Sequence, residues 1–489
     1  MENSVDEDLN DAALAARTAR AGRSVAFVTM GCAKNEVDSE QMRKQALAAG
    51  YSVAENPEFA SAIVVNTCSF IQVATEESIE AIFDVAGLPN VEAGHAALIV
   101  AGCMPARYGD DLEAELSEAS AFVPCSKEDD IVAVLDAALA VLPAEAFATD
   151  STARESEAVE GAAGADSDAD TADALPVYGE ADSKDAPPDG AMISQRTFAY
   201  VKISDGCDRF CSYCTIPFIR GRYRSFPLDD IRRDVEEHVA AGAREIVLIA
   251  QDTGRWGRDF PEKSSLTQLV SALAEEFPDT WFRVMYLQPE GITDELLEAV
   301  ASHDNVCSYF DIPLQHVDAS ILRAMNRHGS RDEFATLVAH VREKVPEACL
   351  RTTLIAGFPG ETEEQFEDLC DFVEEGLFDY VGVFAYSREE GTRAFDLPGQ
   401  VDEDVKAERA QRLRDTADAA CAPNIAARIG QTVHVLVEGV EEDGQIVGRA
   451  MCQAPEVDGA TYLDRGTVGS IVSARIVDTL MYEMEGEVL

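Results

Sequence analysis

The chain is poor in positive charge: 39 Lys and Arg stand against 91 Asp and Glu, a formal net charge of -52 over 489 residues. Such a balance repels phosphate backbones and favours a basic partner. A generally acidic proteome gives the same number with no bearing on function. Long apolar runs are missing too. No stretch reaches the roughly 18–20 residues that cross a bilayer, and the first twenty residues, MENSVDEDLNDAALAARTAR, start acidic and hold no apolar signal core. The expectation is a soluble cytoplasmic protein with no membrane partner. Apolar residues make up 46% of the chain, enough for two to four domains with their own cores, which excludes disorder of the whole. There are also twelve cysteines. In a reducing compartment these are better read as metal ligands or reactive thiols than as disulfides.

Five segments follow from the changes of pattern. Residues 1–22 read as a flexible acidic N-terminus. In 23–142 the apolar runs Ser24–Met30, Ser61–Thr67 and Ala96–Ala101 alternate with helical stretches, the rhythm of a small parallel α/β domain. Residues 143–190 hold thirteen acidic and two basic residues among Ala, Ser, Gly and Pro, and read as a disordered, self-repelling linker. From 191 to 423 the βα rhythm returns. Six strands are expected at Phe198–Ser204, Glu245–Ala250, Trp281–Leu287, Cys307–Ile312, Leu350–Ala356 and Tyr380–Tyr386, which fits a partial or closed TIM-like βα barrel. A doubly wound sheet is the alternative. Residues 424–489 read as a small β-barrel of oligomer-binding (OB-like) type, with strands at Thr432–Val437, Gln445–Ala450 and Gly469–Val477, or else as a stabilising cap.

The sharpest local signal is Gly206–Cys214, GCDRFCSYC, a C-x3-C-x2-C triplet just past the first barrel strand. Three soft thiolates on one loop suit three irons of a 4Fe–4S cluster and leave the fourth iron open. Structural zinc is the alternative, but no fourth Cys or His stands at the usual spacing, the nearest being His238 inside an expected helix. Cys32, Cys68 and Cys103 form a second set. They are 36 and 35 residues apart, and each comes at or just after the end of an N-terminal strand. In a parallel sheet those ends share one edge, so the three thiols are expected to converge on a second cluster. Each taken singly reads as a buried structural cysteine. Cys125, Cys307, Cys349, Cys370, Cys421 and Cys452 show no such pattern and read as core or surface thiols. Arg220, Arg222 and Arg224 form a basic cluster suited to carboxylate or phosphate, or a solvated loop. His316 and Asp311 are placed near the barrel mouth without a role.

The C-x3-C-x2-C motif resembles the radical S-adenosylmethionine superfamily. The resemblance implies that Cys207, Cys211 and Cys214 bind a 4Fe–4S cluster whose free iron takes S-adenosylmethionine, with Tyr213 near the adenine. It also implies that Gly357 and Gly360, in LIAGFPGE, shape the cofactor pocket. With the second cysteine set and a terminal segment resembling a TRAM domain, the chain resembles the methylthiotransferase branch. The strings around Gly31–Glu40, AQDTGRWG, YFDIPLQH and Gly448–Gly459 are similar to the ribosomal-protein-modifying members rather than the tRNA-modifying ones. The implied activity is methylthiolation of the β-carbon of an aspartate in the twelfth small-subunit ribosomal protein, at the decoding centre. The implied cofactors are two 4Fe–4S clusters and two molecules of S-adenosylmethionine, one a methyl donor and one a radical source. The chemistry rests on these groups, so no catalytic side chain is assigned. Implied partners are the ribosomal protein, free or in the subunit, and a one-electron donor such as flavodoxin or ferredoxin.

Two other readings stay open. A tRNA adenosine methylthiotransferase would use the same chemistry. Against it, residues 424–489 carry eleven acidic and four basic residues, net -7, which is unfavourable for phosphate contact. A non-catalytic iron–sulfur RNA-binding module would use the cysteines for structure only.

Overall fold

The computed structural model describes Arg17, residues 20–143 and residues 196–489. Apart from Arg17, residues 20–22 and residue 143, the expected acidic N-terminus (1–22) and acidic linker (143–190) lie outside the described residues. The chain divides into two compact units. One comprises Met1–Gly31, Asp38–Cys68 and Glu76–Ala191, the other Cys32–Val37, Ser69–Thr75 and Met192–Leu489.

The first unit is built on five parallel strands: β1 (Ser24–Thr29), β2 (Ser52–Val53), β3 (Ala62–Thr67), β4 (Ala97–Gly102) and β5 (Ala121–Pro124), in the order β2-β1-β3-β4-β5. Every residue of β3 (AIVVNT) and β4 (ALIVAG) is buried, as expected of central parallel strands covered on both faces. Val64, Ile99 and Ala101 pack on one face with Ile131, Leu135 and Leu139 of helix Ile131–Ala140. Ile63, Leu98 and Val100 pack on the other with Ile82, Val85 and Met104.

The second unit carries β6 (Phe198–Lys202), the short antiparallel pair β7 (Ser204–Asp205) and β8 (Arg224–Ser225), then β9 (Glu245–Ile249), β10 (Trp281–Val284), β11 (Tyr309–Asp311), β12 (Cys349–Ala356) and β13 (Tyr380–Ala385). Strands β6-β9-β10 and β11-β12-β13 form two parallel ladders. They are joined where Phe282 N–H donates to the Asn305 carbonyl and Cys307 N–H to the Phe282 carbonyl, both at 2.8 Å. The result is an arc of six parallel strands in chain order, open between β13 and β6 among the described residues: a partial barrel. Alternate residues face opposite ways. Ile246 and Leu248 pack outward against the helices, with Val235, Leu269 and Leu297 among their neighbours, while Val247 and Ile249 line the inner face.

The terminal strands β14 (Thr432–Val440), β15 (Ile446–Ala450), β16 (Thr461–Leu463), β17 (Ile471–Leu480) and β18 (Glu483–Val488) close into a five-stranded barrel, β14-β15-β16-β18-β17. The segment between β15 and β16 plugs the inner face of the six-stranded arc. Cys452 and Ala454 pack with Tyr200, Trp281, Tyr309 and Tyr380. Arg283 Nη1 donates to the Met451 carbonyl at 2.9 Å, and Cys349 Sγ to the Cys452 carbonyl at 3.2 Å. Asp458 accepts from the Tyr309 hydroxyl and from Arg351 Nε. Glu245, fully buried, is held between Arg283 (2.7 Å) and Arg449 (2.6 Å), and the two guanidiniums keep its carboxyl below the usual value despite burial.

Candidate active site

Open α/β sheets present their loops at the carboxyl ends of the strands, and Cys207, Cys211 and Cys214 lie on the loop that leaves β7 there. Gly206 opens that loop with φ +75°. A Cβ on it would collide with the Arg222 carbonyl, so the loop needs glycine at this point. Cys207 N–H donates to the Gly221 carbonyl at 3.2 Å, closing the loop on itself. Arg209 reaches β9's end, where Nε and Nη2 meet both oxygens of the buried Asp252 at 2.6 and 3.3 Å, and its Nη1 meets Glu290 at 3.2 Å. Asn326 Nδ2 donates to the carbonyls of Arg209 and Phe210, each at 3.0 Å, and Ser212 N–H to the Met325 carbonyl at 2.9 Å. Phe210 is thereby held at φ +50°, a left-handed conformation that bulky residues avoid. Burial pushes the Cys207 and Cys214 thiols above their ordinary values. Tyr213 packs half-buried against the outer core, and burial keeps its phenol protonated.

Gly357 follows β12 at φ +79°, and a Cβ there would lie 2.5 Å from Lys406 Cγ. Its N–H donates to both oxygens of Glu361 at 3.0 Å, and Arg409 Nη1 meets the same carboxylate at 2.8 Å. Gly360, at φ +87°, has open space where a side chain would be. His316 is a packed core residue. Its Nδ1 accepts the Asp318 N–H at 3.0 Å, and Nε2 lies 3.4 Å from Glu361.

Within the first unit, Cys68 and Cys103 each follow one member of the paired residues Thr67 and Gly102 at the carboxyl ends of β3 and β4. Cys68 N–H donates to Ser78 Oγ at 3.0 Å. Cys32, three residues past β1, belongs to the second unit. A fourth thiol went unrecognised in the sequence. Cys125 directly follows β5, and its Sγ lies 3.9 Å from that of Cys103. The rule that selects cysteines at parallel strand ends finds it as soon as β5 is recognised.

Three family models match the chain: Radical SAM superfamily over residues 201–373, Uncharacterized protein family UPF0004 over 24–124, and TRAM domain over 429–489. The chain is 37% identical over 473 residues to the ribosomal protein uS12 methylthiotransferase RimO of Trichlorobacter lovleyi, covering 96% of this chain and 99% of that one. It is 38% identical over 474 residues to the RimO of Geobacter sulfurreducens, with the same coverage. The chain belongs to the RimO family. Like its relatives it is a radical S-adenosylmethionine methylthiotransferase, an enzyme of α/β class. The fold is shared with the solved radical S-adenosylmethionine methyltransferase TsrM from Kitasatospora setae (16% identity, TM-score 0.52, 76% of this chain and 74% of that one). No helix among the described residues is long and apolar enough to cross a membrane.

One feature of this RimO-family chain differs from its sequence reading. Arg220, Arg222 and Arg224 do not form one basic patch. Arg220 is buried, donating to Asn35 Oδ1 at 2.7 Å and lying 3.6 Å from Asp205, whereas Arg222 is exposed and pairs with Asp208, and Arg224 lies over the Phe226 ring. The Gly448–Gly459 string, similar to the ribosomal-protein-modifying members as the relatives bear out, is largely the buried plug of the partial barrel. Beside Arg220 the sequence reading missed a group built on Lys34. Its ammonium sits 3.2 Å from the centroid of the Tyr286 ring, and the residue is only 9% exposed. Burial lowers the Lys34 ammonium to about 8. Asp311, likewise buried, is pushed up to about 7 by desolvation.

Proposed function

We propose that the chain methylthiolates the β-carbon of an aspartate in ribosomal protein uS12, with two 4Fe–4S clusters and two molecules of S-adenosylmethionine. Near full-length identity to proteins named for that reaction supports the substrate, and the observation that carries the chemistry is the pinned three-thiol loop. The three thiols act on one another's charge, Cys211 on both Cys207 and Cys214, so they share one loop site. A cubane takes each thiolate on a different iron, so three soft donors along one fixed loop fit it. Cys207, Cys211 and Cys214 would hold the first cluster, and Cys32, Cys68 and Cys103 the second. When bound, these groups supply the sulfur, the methyl group and the radical that together replace C–H by C–S.

The chain's own contribution is position. Arg209, Asp252 and Asn326 hold the thiol loop at the strand ends. Tyr213 closes it against the core, and Gly357 and Gly360 let the backbone approach the cofactor there. Residues 23–142 would carry the second cluster, 191–423 the radical chemistry and 424–489 the TRAM-like β-barrel that bears the plug, with 1–22 and the linker 143–190 outside the chemistry. Free thiols suit a cytoplasmic setting with a one-electron donor of flavodoxin or ferredoxin type.

Reductive cleavage of S-adenosylmethionine by the reconstituted protein tests the loop. Cleavage by the unaltered protein and none by Cys211→Ala is expected. A zinc-loaded protein with the same fold and no cleavage overturns the assignment.

A further inference from the structure

The group around Lys34 lies wholly within the second unit, at the carboxyl ends of β10 and β11. Burying an ammonium is costly unless an opposite charge or a strong polar partner compensates. Lys34 has the face of Tyr286 as a cation–π partner and no ion pair with a described carboxylate. The neighbouring carboxylates are engaged elsewhere. Asp205 accepts from the Gly206 N–H and Gln251 and lies near Lys202 and Arg220. Asp311 accepts from the Tyr286 N–H at 3.0 Å and faces Arg351 at 3.3 Å. The bond from Tyr286 to Asp311 also fixes Tyr286 at φ +62°, a conformation unfavourable for an aromatic residue, and so sets the ring beneath the ammonium. The backbone is strained at the point where it holds a cation that no carboxylate pairs directly, with the Cys32 thiol as the neighbour whose charge would favour it most.

We propose that Lys34 binds the side-chain carboxylate of the substrate aspartate, with the Tyr286 ring as its platform. The assignment rests on the aspartate reading above and goes beyond it by naming the residue that recognises the acid. An aspartate carboxylate brings the direct ion-pair partner that the buried ammonium lacks, and both of its oxygens are acceptors for N–H donors. An adenine edge is uncharged and offers the ammonium no such partner.

The test is a two-by-two comparison on full-length holoenzyme without reductant, so that binding is read without turnover. The probes are a fluorescent uS12 loop peptide carrying the target aspartate and the same peptide with asparagine. The unaltered enzyme should bind the aspartate peptide about tenfold or more tightly, the size of a charge-assisted bond. Lys34→Gln and Lys34→Met should bring the ratio to near one, with iron content unchanged. Equal binding of both peptides by the unaltered enzyme overturns the assignment without recourse to any variant. So does a preference that survives in both variants, or a loss in them of S-adenosylmethionine binding with peptide discrimination intact, which would make the cofactor the anion. Mass spectrometry of the reduced, unaltered enzyme separates this from the broader reading: modification of tRNA and of no peptide fails the substrate itself, whereas modification of the peptide with discrimination retained in Lys34→Gln fails Lys34 alone.

Discussion

Arg209 and Arg222 flank the same thiol loop and each meets an aspartate, yet their surroundings make them unequal. Arg209 binds the buried Asp252 through two nitrogens, while Arg222 is 80% exposed and its pairing with Asp208 is screened by water. Removing Arg209 strands a buried carboxylate and loosens the loop. Arg209→Ala is therefore expected to retain less than half the iron after reconstitution, and Arg222→Ala as much as the unaltered protein, measured by iron analysis per chain. The Cys207–Cys214 triplet stands out in the sequence because its three cysteines sit within eight residues of one another. Cys125 does not, because its significance depends on β5, a four-residue strand too short to show a period. Lys34 stood in plain view in Gly31–Glu40, but only tertiary packing shows that it is buried over a ring 252 residues away in the chain.

At the scale of elements, the plug between β15 and β16 is the part whose packing the sequence reveals least. Its string is similar to the ribosomal-protein-modifying members, which says nothing of its packing; its burial depends on Tyr309 and Arg351, far off in sequence. Asp458→Ala would leave Arg351 with Asp311 and remove the acceptor of the Tyr309 hydroxyl and the Ala454 N–H, and is expected to cost about 3 kcal/mol, the scale of breaking a buried ion pair. Tyr309→Phe, which loses one hydrogen bond to a charged acceptor, should cost about 2 kcal/mol. The order of midpoints in urea unfolding checks this: unaltered protein highest, Tyr309→Phe next, Asp458→Ala lowest. Gly357→Ala places a methyl against Lys406 at a positive φ and should lower the thermal midpoint, whereas Gly399→Ala, which meets only Gly360 at 3.3 Å, should lower it less. All six strands of the arc were legible from their apolar runs. Trp281–Leu287 proved shorter than expected because the chain turns at Tyr286, and β18 (EMEGEV) escaped notice because Met484 and Gly486 are a thin apolar face among glutamates.

For the whole molecule, the net charge of -52 sets the long-range field. A basic ribosomal protein is drawn to that field and tRNA is repelled by it, so affinity for the protein substrate should fall as salt rises through about 0.15 M, where the screening length is about 8 Å. Peptide binding titrated at several salt concentrations checks this. The most direct measurement of the central claim is mass spectrometry of the uS12 target aspartate peptide, and of tRNA nucleosides, from cells with and without this gene. The account predicts a methylthio mass on the aspartate peptide that disappears with the gene, and unchanged tRNA. A methylthio group lost from tRNA while the peptide stays the same would contradict it.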